Sequence, residues 1–140
     1  MLYVLLLIYF LFFSEGYGRI AEEERIYRYN LKPFVEIRRF WMYREQVGLS
    51  AFFMNIFGNV IGFIPLGFIL PVISRRCRSG FLIVLSGFSL SQCVETIQLV
   101  TRVGCFDVDD LILNTAGAAA GYVLFAVCNY LRRRHYGEKI

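Results

Sequence analysis

The sequence predicts an all-α polytopic membrane protein, with about four transmembrane helices and an interfacial segment between the first and the second. Three observations lead there. Of the 140 residues 57% are hydrophobic and the mean hydropathy is +0.54, too apolar for a soluble domain of this size, which must present a largely charged surface. The charges are gathered into short blocks between long uncharged runs, the segregation that a bilayer imposes. Four apolar runs result: Met1 to Phe13, about 51–73, about 81–100 and about 111–131. Each of the last three is long enough to cross a hydrocarbon core of roughly 30 Å at about 1.5 Å per residue.

The first run, residues 1–13, would cover only about two-thirds of that thickness as a helix unless Ser14 to Gly18 extend it. A signal peptide is the competing reading, but no Lys or Arg precedes the run and no A-x-A-like site follows it. The expectation is a retained helix over about 1–18, whose shortness a misassigned start codon would explain. The stretch from Ser14 to Ser50 mixes Glu22, Glu23 and Glu24 with Arg25 and Arg28, then adds Tyr27, Tyr29, Phe34, Phe40, Trp41 and Tyr43. Mixed charge with aromatics predicts a segment lying at headgroup level. With no Pro/Gly/Ser-rich linker, low-complexity tract or repeat, residues 1–140 read as one domain.

Short connecting segments set orientation. Arg75, Arg76 and Arg78 lie between the second and third runs, and Arg132, Arg133, Arg134 and Lys139 follow the fourth. Four spans put both groups on one side, the cytoplasm by the positive-inside rule, and leave the turn with Asp107, Asp109 and Asp110 outside. The net charge of +4 therefore reads as membrane orientation rather than nucleic-acid binding, for no basic stripe with interleaved aromatics exists. The four cysteines, Cys77, Cys93, Cys105 and Cys128, form no C-x-x-C pair, which argues against a disulfide framework or a zinc site. No metal and no cofactor is implied.

Polar groups inside apolar runs are the informative exceptions. An ionisable side chain near the bilayer centre costs at least about 2.5 to 3.5 kcal/mol on insertion scales. Ser91, Glu95, Gln98 and Arg102 fall on one helical face, with Gln98 between the carboxylate and the guanidinium. Asn55, Gly58, Asn59 and Gly62 share a face of the second run, and Asp110, Asn114, Gly117 and Gly121 one of the fourth. Gly58 with Gly62, and Gly117 with Gly121, have the G-x-x-x-G spacing that lets helix backbones approach, and packing is the reading they favour. The assigned topology puts Asn55, Asn59, Glu95, Gln98, Arg102, Asp107, Asp110 and Asn114 in the outer half, which predicts an outward-facing polar pocket among the last three helices. Pro65 removes one backbone hydrogen bond from the second helix and predicts a kink there without a functional role. His135, in the basic tail, reads as unassigned.

Several of these residues form a set of motifs in fixed order: Asn30-Leu-Lys-Pro-Phe34, Asn55, Gly-Asn-Val at 58–60, Phe-Ile-Pro-Leu-Gly at 63–67, Glu95-Thr-Ile-Gln98, Arg102 and Phe-Asp-Val-Asp-Asp-Leu-Ile-Leu-Asn-Thr at 106–115, closed by Gly117 and Gly121. In this the chain resembles the VanZ-like family over about residues 30–122. The resemblance implies a small bacterial multi-helix membrane protein of the cell envelope. The family's prototype is associated with resistance to the glycopeptide antibiotic teicoplanin, by a mechanism not established. The short first helix departs from the family pattern.

Three functional readings stay open from the sequence. In the first, the pocket binds a polar group of a cell-envelope molecule, either a lipid-linked glycan, a teichoic-acid intermediate or a glycopeptide; Arg102 would meet phosphate or carboxylate, and Glu95, Gln98 and the asparagines hydroxyl or amide groups. The second is a membrane enzyme acting on such a molecule, with Glu95 or Asp110 as general base, Arg102 as electrophile and a divalent ion on Asp107, Asp109 and Asp110. No nucleophile elbow, H-E-x-x-H or Gly-rich phosphate loop supports it. The third is a structural subunit of a membrane complex. Membrane lipids are partners in all three, and oligomeric state is left open.

Overall fold

The computed structural model of the chain describes Tyr3 and residues 29–43, 49–101 and 105–137. Three long helices dominate: α2 (Leu49–Ile73), α3 (Gly80–Thr101) and α4 (Val108–Tyr136), preceded by the short α1 (Val35–Met42). The long helices hold 25, 22 and 29 residues, or about 37, 33 and 43 Å at about 1.5 Å per residue, enough to cross a bilayer. Each contains a window of high mean hydropathy, between 1.4 and 2.2, with few charges. These are the second, third and fourth runs of the sequence, the second lengthened at its start and the other two at both ends. Of the first run only Tyr3 is described; the rest of that expected helix lies outside the described residues.

α4 is the central helix. In its apolar window 39% of residues are buried inside the chain, against 22% and 28% in α2 and α3, which present more of their sides to lipid. The seam with α2 exists because side chains are missing on both sides. Gly117 and Gly121 lie against the Val60 and Ile64 carbonyls, and Gly67 of α2 against the Ala118 carbonyl, so close that a Cβ at any of the three would overlap backbone. In lipid, where apolar burial between helices brings little, such backbone approach and its dispersion contacts hold helices together. α3 joins α4 through Gly87, which meets Ala118, while Phe63 and Val94 pack with Tyr3, Leu66 and Leu90. Tyr3 also donates its hydroxyl to the Gly62 carbonyl at 2.8 Å. α2 continues as helix through Pro65 and Pro71.

The two ends of the bundle differ. At one, a short 3-10 turn, Arg75–Arg78, links α2 to α3, and the Tyr122 ring packs on Gly80 while its hydroxyl donates to the Arg78 carbonyl at 2.9 Å. α4 runs on past Tyr122 for about three turns to Arg133, Arg134 and His135, which complement the negative end of its dipole, and Gly137 in the left-handed conformation ends it. The opposite end holds β1 (Tyr29–Asn30), paired in parallel with β2 (Phe106–Asp107), and α1. The expected interfacial stretch is thus partly ordered structure, in which Leu31, Phe34, Val35, Trp41, Met42 and Tyr43 are exposed apolar side chains.

Candidate functional site

The end that carries α1 is built on acids. Asp107 is the N-cap of α4, its carboxylate accepting the Asp109 N–H at 2.9 Å and the Asn30 side-chain amide at 3.4 Å. Asp109 and Asp110 follow in the first turn, where negative charge is favoured by the helix dipole. From there the three carboxylates diverge. Asp109, 1% exposed, accepts the N–H groups of Phe34 and, at 3.1 Å, Ile37, and so caps the start of α1 from more than 70 residues away in sequence. Phe34 has φ 65, a left-handed conformation that costs a bulky residue about 1 to 3 kcal/mol, and the Asp109 carboxylate holds it there. Asp110 accepts the Asn59 amide of α2. Three successive helix-start acids therefore tie three different elements to α4.

The α3 stripe meets this network from the side. Glu95 is 2% exposed and accepts the Asp107 backbone N–H at 3.0 Å, linking α3 to β2. One turn along α3, Gln98 is equally buried. Toward the bilayer centre Asn114 donates to the Ser91 hydroxyl at 2.9 Å, with both side chains fully buried. The Asn114 carbonyl oxygen has no hydrogen-bond partner among the described residues, an unmet acceptor that a packed interior rarely keeps. The cluster is recessed: α2 runs about three turns from Leu49 before reaching Asn59, and α3 continues for about a turn and a half beyond Glu95. Lys32, Arg38 and Arg39, on the segment that Asp109 holds, are exposed cations at the same end.

The structure thus brings Asn59, Glu95, Gln98, Asp107, Asp110 and Asn114 to one half of the bundle. Arg102 and the side chain of Asn55 lie outside the described residues. Gly117 and Gly121 sit in the α2–α4 seam, whereas the described contact of Gly62 is its carbonyl with Tyr3, and Gly58 is half-buried. Two members of the network, Asn30 and Asp109, are absent from the residues that helical spacing singles out. Asn30 lies in no apolar run, and Asp109 faces away from the Asp110–Asn114 stripe; their signal was the shared motifs at 30–34 and 106–115. Among the described residues no group of three or more His, Cys, Asp or Glu converges as metal ligands would, because the acids point at backbone N–H groups and an asparagine instead.

The family model VanZ/LLP1 matches residues 1–129. Protein VanZ of Enterococcus faecium is 29% identical over 147 residues, an alignment covering 99% of this chain and 75% of that protein. No solved structure matches the chain. A family match across nearly the whole length, on a bundle of three membrane-crossing helices whose acids are engaged as described, places this protein in the VanZ/LLP1 family of membrane proteins.

Proposed function

We propose that this VanZ-family protein binds the polar part of a cell-envelope molecule in the recess ringed by Asn59, Glu95, Gln98, Asp110 and Asn114, and that the recess opens on the outer side of the membrane. The molecule is of the class of a lipid-linked glycan, a teichoic-acid intermediate or a glycopeptide. One observation carries the reading: the described buried polar side chains, Asn59, Ser91, Glu95, Gln98, Asp109 and Asn114 on the long helices and Asp107 at the N-cap of α4, collect in one half of the bundle. Intramembrane ionisable groups are costly, and they mark ligand or ion pathways more often than packing. Exposed Lys32, Arg38 and Arg39 at that end, with Arg102 nearby in sequence, suit a ligand bearing phosphate or carboxylate. The basic turn at 75–78 and the end of α4 at 132–134 lie at the opposite end and, by the positive-inside rule, belong in the cytoplasm.

A structural-subunit reading is favoured by a different observation, the use of Asp107 and Asp109 to cap helices rather than to face a cavity. The two readings separate on charge. In cells where the wild-type chain lowers glycopeptide susceptibility, Glu95→Gln keeps an acceptor for the Asp107 N–H, and a binding site should nonetheless lose its effect, as should Arg102→Ala. Normal membrane levels with an unchanged phenotype in both variants would refute the binding reading. Orientation is read by labelling Cys105 in intact cells after Cys77→Ser; modification only after permeabilisation would invert the assignment.

A further inference from the structure

The side of α3 turned away from the bundle is largely apolar, with Leu82, Leu85 and Val100 exposed, but it carries a short polar stretch near its middle. Its buried residues, Ile83, Gly87, Ser91, Val94, Glu95 and Gln98, form the face turned into the bundle. On the other side Ser89, Gln92, Cys93, Thr96 and Ile97 line a shallow open groove, and all five are exposed. The Thr96 hydroxyl is bonded to the Gln92 carbonyl of its own helix, as Ser86 is to Leu82, so these two groups are satisfied in lipid. Gln92 is not. Its amide has no hydrogen-bond partner among the described residues, and it stands near the midpoint of Gly80–Thr101, about half a bilayer from either headgroup layer.

A primary amide in hydrocarbon needs both an acceptor and a donor opposite it at its own depth. Acyl chains offer neither. Tyr3 packs on Phe63, Leu66, Leu90 and Val94, on the α2 side of α3, rather than on the Gln92 face. A second copy related by a two-fold axis along the membrane normal meets the requirement without further assumption. Symmetry places its Gln92 at the same depth facing the first, and an amide is complementary to itself, each N–H donating to the other carbonyl. Ser89 and Cys93, one turn apart beside Gln92, are small enough to let the two helices approach. We infer that the outward face of α3 is a homodimer contact, with the Gln92 amides of the two copies hydrogen-bonded to each other in the middle of the membrane. This contact is separate from the recess and does not depend on what the recess binds.

Native cysteines supply the test. In membranes from expressing cells, the full chain carrying Cys77→Ser, Cys105→Ser and Cys128→Ser keeps only Cys93, and a matched chain keeps only Cys128, which is exposed on α4. Copper phenanthroline with oxygen converts two adjacent thiols to one disulfide, the two electrons and two protons passing to oxygen. The Cys93 chain should form covalent dimer at least fivefold more than the Cys128 chain. Gln92→Leu in the Cys93 background should lower that yield at least fivefold at an unchanged membrane level, since leucine favours insertion. Equal yields at the two cysteines, monomer alone at Cys93, or a Cys93 dimer indifferent to Gln92→Leu would each overturn the inference.

Discussion

The same two helices, α2 and α4, meet in opposite ways along their length. In the middle Gly67, Gly117 and Gly121 withdraw their own side chains from the contact and let carbonyl oxygens touch the facing backbone. Toward the α1 end Asn59 and Asp110 reach across with full polar side chains, beside a network that also recruits Glu95 of α3 and the start of α1. The glycine seam tolerates no added atom but carries no charge. The polar end carries charge, and its bonds from Asn30, Phe34, Ile37 and Asn59 to the acids of α4 join pieces of chain distant in sequence. On the function proposed above, stability and function can therefore be disturbed separately, the first at the seam and the second at the recess.

The largest effect is expected at the seam. Gly121→Leu forces a branched side chain into the Ile64 backbone, and overpacking of this kind costs about 3 kcal/mol, a large share of the roughly 5 to 15 kcal/mol that holds a domain folded. Its thermal stability in detergent should collapse, and retention of the wild-type midpoint would mean that the seam is looser than described. Asp109→Ala comes next. Two partly buried N–H groups at the start of α1 lose their acceptor and Phe34 loses the group that holds its strained backbone, at about 1 to 3 kcal/mol, confined to the segment around 29–43. Limited proteolysis should cut that segment faster while α2 to α4 stay protected; general unfolding would show that seam and polar end are one cooperative unit. The smallest is the Ser91–Asn114 pair, for which a double-mutant cycle with alanine should give a coupling of about 0.6 kcal/mol, the usual scale for hydrogen bonds between membrane helices.

These differences also explain what the residues alone disclose. Hydropathy and charge segregation specify the spans of α2, α3 and α4 to within a few residues because a bilayer makes one physical demand on every crossing segment. Partner choice is less visible. Gly58 with Gly62 has the same spacing as Gly117 with Gly121, yet it is Gly67, outside any G-x-x-x-G, that fits the α4 backbone, because the register between two helices decides which small residues face each other. The stripe of Ser91, Glu95 and Gln98 is legible from the 100° advance per residue, and all three are buried. That Asp109 caps α1 is not legible, for a bond spanning 75 residues leaves no periodic trace. The two-residue pairing of Tyr29–Asn30 with Phe106–Asp107 is too short to show any alternation.

The central claim, that the recess holds a polar group of an envelope molecule, is tested most directly by the lipids that travel with the protein. Wild type and Glu95→Gln are purified from the same membranes in mild detergent at equal yield, and bound lipids are extracted and compared by mass spectrometry. We expect a phosphorylated or glycosylated lipid enriched with the wild type over the bulk membrane and at least fivefold depleted in Glu95→Gln. Identical lipid profiles in the two preparations, each matching the bulk membrane, would contradict it.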